Sequence, residues 1–160
     1  MILRRSLAVL ALLACSALPA CADNKLPADA ETVLDKAEEL ELYSLDPTEC
    51  DKKPKDGFHG WKVLGKTTLK KKEDRQKVLK AIRKGIADSD GSVAGCFNPR
   101  HGLKGKAGGK TVELVICYEC LSLEVYVDGK RSSVLTARSP QPELDKVLRG
   151  AGVKLPKKAK

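Results

Sequence analysis

The apolar residues between Val112 and Val127 change phase once, and this change most limits how the chain can fold. One set, at even positions, is Val112, Leu114, Ile116 and Tyr118, and the next set, at odd positions, is Leu121, Leu123, Val125 and Val127. Side chains of a β-strand alternate between the two faces of a sheet, so one unbroken strand cannot bury both sets on the same face. The sequence therefore predicts two strands, separated by a bulge or a tight turn between Tyr118 and Leu121.

Two cysteines, Cys117 and Cys120, lie on this break. In a flat strand, residues three apart would be about 10 Å from each other and on opposite faces. A turn in the chain at this point would bring the two sulfur atoms together. The pattern therefore makes Cys117 and Cys120 candidates for a pair.

The remaining periodicity predicts a small α+β domain. We expect strands at 39–45, 61–69 and 93–97, a short helix ending near Lys36, a helix at 71–87, a turn at 106–109, and a last helix with Ser139 as its N-cap and Pro140 at its first position. This order of elements predicts an antiparallel, meander-like sheet covered by two helices.

Residues 1–22 are typical of a bacterial export signal, with two arginines before the apolar run 7–13. That run is shorter than the roughly 20 residues needed to span a bilayer. Cys21 and Cys15 each lie where a lipoprotein signal would be cleaved and lipidated, and 20–22 also fits an ordinary signal-peptidase site. We predict an exported protein that is either anchored to the membrane by a lipid on one of these cysteines or secreted.

The chain after the signal is long enough for one domain. Residues 23–38 begin with polar sequence and are expected to form a tether, which leaves 39–160 as a single α+β domain.

Charge is distributed unevenly along the chain after the signal, with a net charge of −8 over residues 23–51 and +15 over 52–160. Export and an aromatic content of 4% argue against nucleic acid as the partner. We expect anionic lipid headgroups or envelope polymers instead, and the acidic segment could fold back on the basic half.

Cysteines and one histidine recur at a spacing that suggests a site: Cys96-x4-His101-x15-Cys117-x2-Cys120. Three cysteines and one histidine are a common structural zinc set. Exported cysteines are usually oxidised, however, and Cys50 brings the domain to an even four. The sequence leaves open a disulfide, a zinc site, inert thiols and an active redox pair.

Catalysis is the less favoured interpretation of these cysteines. In thioredoxin-type proteins the first cysteine of a CxxC pair begins a helix, whereas a strand pattern follows Cys120. A periplasmic thiol–disulfide or metal-handling protein that uses the CxxC pair is the alternative function. Arg100, in the neighbouring loop, could bind an anion, or it could pair with a structural carboxylate such as Glu113 or Glu119.

Four segments together resemble a group of uncharacterised bacterial envelope proteins: FHGWKVLGKT at 58–67, CFNPRHG at 96–102, ICYEC at 116–120 and SPQP at 139–142. The resemblance covers roughly residues 40–155 and implies an exported location, with no assigned activity. Cys50 lies outside these motifs, which favours a site confined to the other three domain cysteines and His101. We therefore predict an exported, membrane-anchored protein without catalytic activity, whose Cys/His cluster is structural.

Overall fold

The structure is a computed structural model that describes residues 24–48, 54 and 56–157. The predicted export signal, with Cys15 and Cys21, lies outside these residues, and so does Cys50. None of the helices in the described ranges has the length and apolar character needed to cross a bilayer.

Three helices and six strands follow one another along the described chain. In order, they are α1 (Ala28–Lys36), β1 (Leu40–Leu45), β2 (Val63–Leu69), α2 (Lys72–Ala87), β3 (His101–Ala107), β4 (Lys110–Cys117), β5 (Ser122–Val127), β6 (Lys130–Leu135) and α3 (Gln141–Gly150). The predicted α+β class is confirmed, and the sheet is covered by three helices rather than two, because the short helix predicted to end near Lys36 also packs on it.

The six strands form one open sheet in the order β2-β1-β3-β4-β5-β6, and every neighbouring pair is antiparallel. Strands β3 to β6 follow each other as a meander. Because β2 and β3 are both antiparallel to β1, they run parallel to each other, and the chain passes from one to the other through α2. This crossing brings the loop before β3, with Cys96 and Arg100, to the end of the sheet where β4 turns into β5.

The helices bury one face of the sheet in the main core. Representative members are Leu34 of α1, Ile82 of α2 and Leu144 of α3, which pack with Leu42 and Leu114 of the sheet and are all at most 1% exposed. The opposite face carries a smaller cluster built around Tyr43, Leu45, Phe58 and Val115. Strand residues alternate between the two clusters, as the pleat of a sheet requires.

The described part of the predicted tether, residues 24–38, belongs to the folded domain. Helix α1 contributes Ala30, Val33 and Leu34 to the main core. The Asn24 side chain donates to the Ile86 carbonyl at 2.9 Å and accepts from the Leu135 amide at 2.8 Å. The predicted boundary at residue 39 is therefore corrected, because the folded domain includes α1. Burial of the apolar face of α1 against the sheet stabilises the fold, which is why this segment is not a tether.

The strand predicted at 93–97 is wrong. These residues form no regular element, and Val93 is 62% exposed. The neighbour of β4 is β3, which begins at His101 and has few apolar residues. In β3, glycines leave space for side chains from other segments to pack against the backbone. A Cβ at Gly102 would lie 2.7 Å from the Phe58 ring, and one at Gly105 would lie 2.7 Å from Leu40. A strand that accommodates neighbouring side chains over its own glycines has no hydrophobic alternation to detect.

The start of the last helix also differs from the prediction. Pro140 occupies the N-cap position of α3, and no side chain caps the helix. The Ser139 hydroxyl lies 3.3 Å from an Asp88 carboxylate oxygen instead. The inward positions of α3 are as expected, since Leu144 and Leu148 are buried and Val147 packs against the core.

Candidate cysteine site at the end of the sheet

The predicted change of phase is a tight turn between β4 and β5. β4 ends at Cys117, β5 begins at Ser122, and Leu121 adopts a φ of 56° within the turn. Cys117 and Cys120 form a disulfide across this turn, with their Cα atoms 5.2 Å apart. Both cysteines are fully buried. The two sulfur atoms are therefore bonded to each other, which excludes inert thiols at these positions and is compatible with both a structural disulfide and a redox pair.

The irregular segment before β3 lies directly against this turn. The Ala94 amide donates to the Cys120 carbonyl at 3.1 Å, and the Asn98 amide donates to Cys120 Sγ at 3.3 Å. Between them, Cys96 places its Sγ 4.0 Å from Cys120 Sγ. Cys96 is exposed and has a free thiol. Two backbone hydrogen bonds thus hold a free thiol beside one sulfur of a buried disulfide.

His101 lies at the start of β3 and is fully buried. Its Nε2 lies 2.9 Å from Asp145 Oδ1 on α3, and its ring centroid lies 5.5 Å from that of Tyr118. The hydrogen bond from His101 is the largest cause of a lowered pKa at Asp145. The geometry requires Nε2 to carry the proton when Asp145 is ionised. His101 is therefore bound to α3, and its Nε2 is committed to Asp145.

The predicted metal set, Cys96, His101, Cys117 and Cys120, does not assemble in the structure. Zinc binds thiolates, and two of the three sulfur atoms are joined in a disulfide. The histidine contributes its Nε2 to a carboxylate instead. Across residues 24–48, 54 and 56–157, no group of three or more His, Cys, Asp or Glu side chains has a metal-binding arrangement. The zinc expectation is corrected accordingly.

Arg100 is buried and pairs with a structural carboxylate, as one of its two interpretations expected. Its Nε and Nη2 lie 3.0 and 2.9 Å from Glu119 Oε1, and its Nη1 donates to the Lys157 carbonyl at 2.7 Å. The guanidinium thus joins the cysteine turn to the C-terminal segment. Of the two interpretations of Arg100, the structure shows the structural pair, in which Nε, Nη1 and Nη2 all contact groups of the chain itself.

Sequence reasoning did not identify two polar residues at this end of the sheet, Asp145 and Ser44. Ser44 is fully buried and lies opposite His101 in the register of β1 and β3. Among the described residues, neither Ser44 Oγ nor His101 Nδ1 has a hydrogen-bond partner. Ser44 lies on the same face of β1 as Leu40 and Leu42. A polar residue at a position where the alternation calls for an apolar one was the signal that could have identified it. Asp145 had no such signal, because it lies beside the apolar face of α3.

The acidic N-terminal segment folds back on the basic half, which is the arrangement that the charge distribution allowed. Arg83 of α2 pairs with Glu31 and with Asp35 of α1, the latter at 2.8 Å. Lys110 pairs with Asp29 at 2.9 Å. These contacts offset part of the positive charge that α2 and β4 present towards α1.

Comparison with known proteins gives no match to a family model, and none that is significant to a curated protein or a solved structure.

Proposed function

We propose that this chain is an exported bacterial protein, anchored in the envelope through a lipid on Cys21 or Cys15, which binds an anionic envelope component. The observation that carries the proposal is the buried Cys117–Cys120 disulfide. Disulfides persist in oxidising compartments and are rare in the cytosol. The export signal in residues 1–22 and the resemblance to envelope proteins support the same location.

The burial of the disulfide supports a structural role for it. A redox pair that acts directly on a partner must expose a sulfur atom to the partner's thiol. Cys117 and Cys120 are both 0% exposed, and their turn is fixed by the Arg100–Glu119 pair and by the amides of Ala94 and Asn98. The pair therefore supports the geometry of the β4–β5 turn.

The lysines that precede and begin α2 support an anionic partner. Lys70, Lys71 and Lys72 are consecutive and exposed. Lys62 is exposed directly before the neighbouring edge strand β2, and Lys66, which pairs with Glu41, is exposed on that strand. Lysines presented together in this way attract anionic headgroups, each contributing about 1 kcal/mol near a charged surface.

Export and anchoring are tested by expressing the full chain in a bacterium and fractionating the cells. We expect the protein in the membrane fraction, with an N-terminal peptide that carries acyl chains on Cys21 or Cys15. Cys21→Ser and Cys15→Ser, made singly, identify the modified residue, because only one of them should release the protein into the soluble envelope fraction. A chain that stays in the cytoplasm with residues 1–22 intact would contradict the proposal.

Anion binding is tested with the Cys21→Ser/Cys15→Ser chain and vesicles that contain phosphatidylglycerol. Replacing Lys70, Lys71 and Lys72 together with Gln should weaken binding at least tenfold at low salt. The matched control replaces three other exposed lysines, Lys106, Lys130 and Lys146, with Gln, and so changes the net charge equally. Equal losses in both triple variants would mean that net charge alone matters and would contradict a defined surface.

A further inference from the structure

We propose that Cys96, Cys117 and Cys120 form a thiol–disulfide exchange site, in which exposed Cys96 connects external thiols and disulfides with the buried pair. This goes beyond the proposed binding function and does not depend on the anchor. Its substrates would be small thiols or the cysteines of other envelope proteins. The site is defined by three sulfur atoms that the fold brings together from two separate segments.

The geometry selects which sulfur Cys96 would attack. Cys96 Sγ lies 4.0 Å from Cys120 Sγ, and a disulfide bond requires about 2.05 Å. The approach is therefore about 2 Å, along a segment that has no regular structure between Ser92 and Arg100. The hydrogen bonds from Ala94 and Asn98 to Cys120 keep this segment in place on either side of the thiol.

The sulfur atom that leaves in this attack, Cys117 Sγ, also has a stabilising contact. The Cys120 amide donates to Cys117 Sγ at 3.1 Å. A hydrogen bond to a sulfur atom stabilises the negative charge that develops on it as the disulfide opens. Cys117 is the sulfur that leaves when Cys120 Sγ is attacked, and this hydrogen bond stabilises the Cys117 thiolate.

The exchange is balanced within the chain. The Cys96 thiol loses its proton to solvent, and the thiolate attacks Cys120 Sγ. The Cys96–Cys120 bond forms as the Cys117–Cys120 bond breaks, and the Cys117 thiolate then takes up a proton. No electrons are gained or lost, so this step needs no oxidant.

Exposure then decides what the second disulfide can do. Cys117 and Cys120 are fully buried, whereas Cys96 is exposed. An external thiolate can attack Cys96 Sγ of the Cys96–Cys120 bridge, which forms a mixed disulfide at Cys96 and releases the Cys120 thiolate. A second external thiolate attacks the external sulfur of the mixed disulfide. The two external thiols depart joined as a disulfide, and Cys96, Cys117 and Cys120 remain reduced. The protein thereby oxidises two thiols without exposing its core.

The decisive measurement is the rate at which a small monothiol, 2-mercaptoethanol, reduces the Cys117–Cys120 bond in the folded full chain. Thiols released over time are alkylated, and the modified peptides are identified by mass spectrometry. We expect Cys96→Ser to slow reduction at least tenfold, because the exposed intermediate is lost. Val93→Ser is the matched control, since it alters the same exposed segment without removing a sulfur, and its rate should equal that of the wild type.

A second variant traps the intermediate. Cys117→Ala leaves Cys96 and Cys120 as neighbours, and oxidised glutathione should join them in a bridge that peptide mapping detects. The double variant Cys117→Ala/Cys96→Ser should instead carry glutathione or free thiol at Cys120. If Cys117→Ala does not fold, the reduction rates decide the question alone.

Two results would overturn the proposal. One is an equal reduction rate for Cys96→Ser and the wild type, which would mean that the bond opens only by unfolding. The other is a stable Cys96–Cys50 disulfide in protein purified from the envelope, because Cys96 would then have no thiolate to offer. A free Cys96 thiol in that protein, combined with slower reduction of Cys96→Ser, supports the exchange site.

Discussion

The Nε2 of His101, on the third strand, lies 2.9 Å from Asp145 Oδ1 on the last helix, and this bond joins the sheet to α3 at the end where the cysteines lie. Only 1% of the His101 side chain and 18% of the Asp145 side chain is exposed. A hydrogen bond between a ring nitrogen and a carboxylate is strong in such surroundings, and losing either partner leaves a buried polar atom unpaired.

Asp145→Ala should lower the free energy of unfolding by about 1–3 kcal/mol, because it leaves the buried Nε2 of His101 without its acceptor. Urea denaturation followed by circular dichroism measures this. Arg149→Ala is the control, since Arg149 also contacts Asp145 but is largely exposed and should change little. Equal effects from the two variants would contradict a special role for the His101 contact.

The same contact predicts a dependence on pH. The hydrogen bond from His101 holds the pKa of Asp145 below its ordinary value of 3.8. A carboxyl with a lowered pKa in the folded state stabilises the protein above its unfolded pKa and loses that contribution as the pH falls through the folded pKa. The difference in stability between wild type and Asp145→Ala should therefore shrink below about pH 4. A difference that stays constant from pH 7 to pH 2 would contradict this.

Ser44→Ala should leave stability unchanged or raise it. The Ser44 hydroxyl is buried on the face of the sheet that meets the main core, and it has no hydrogen-bond partner among the described residues. Removing the hydroxyl therefore removes the free-energy cost of desolvating it. Thermal unfolding of the purified protein tests the expectation. A loss of more than about 1 kcal/mol would show that the hydroxyl makes a hydrogen bond worth that much.

Replacing both Cys117 and Cys120 with Ala should destabilise the protein by about 2–4 kcal/mol, because it removes a buried cross-link and leaves space in the core. Cys96→Ser should have little effect on stability, because that side chain is exposed. Denaturant unfolding of the two variants beside the wild type distinguishes the two sulfur atoms that stabilise the fold from the exposed sulfur of Cys96, which should not. An unchanged midpoint for the double variant would disprove the structural role.

Two glycines of the helices should respond in opposite directions to Ala. At Gly85 of α2 a Cβ would collide with the Pro140 ring and the Thr136 hydroxyl, and the expected cost is about 1–3 kcal/mol. At Gly150, the last residue of α3, a Cβ would meet nothing within 4 Å. Gly150→Ala should therefore stabilise by about 0.5 kcal/mol through the entropy of the unfolded chain. Melting temperatures of the two variants measure both effects, and a loss of stability in Gly150→Ala would contradict the second.

Local patterns were sufficient where a residue's neighbours in sequence are also its neighbours in space. The phase change at Tyr118 predicts the β4–β5 turn, and the apolar spacing of Val78, Leu79 and Ile82 predicts α2, because each reflects the repeat of a single element. The patterns failed for β3, whose glycines pack under side chains from β1 and from the Phe58 loop. They also failed for the metal set, because spacing does not tell whether two sulfur atoms bind an ion or each other.

By itself, the sequence determined the α+β class, the place of Cys117 and Cys120 at the break between two strands, and an excess of basic residues after residue 51, since all three depend on local periodicity and composition. Only the tertiary structure decided that His101 bonds to Asp145, 44 residues away, and that Arg100 bonds to Glu119. It also decided that Cys96 lies beside Cys120. The physical reason is that the crossing through α2 sets the position of the segment before β3, and no local pattern encodes where that segment comes to lie.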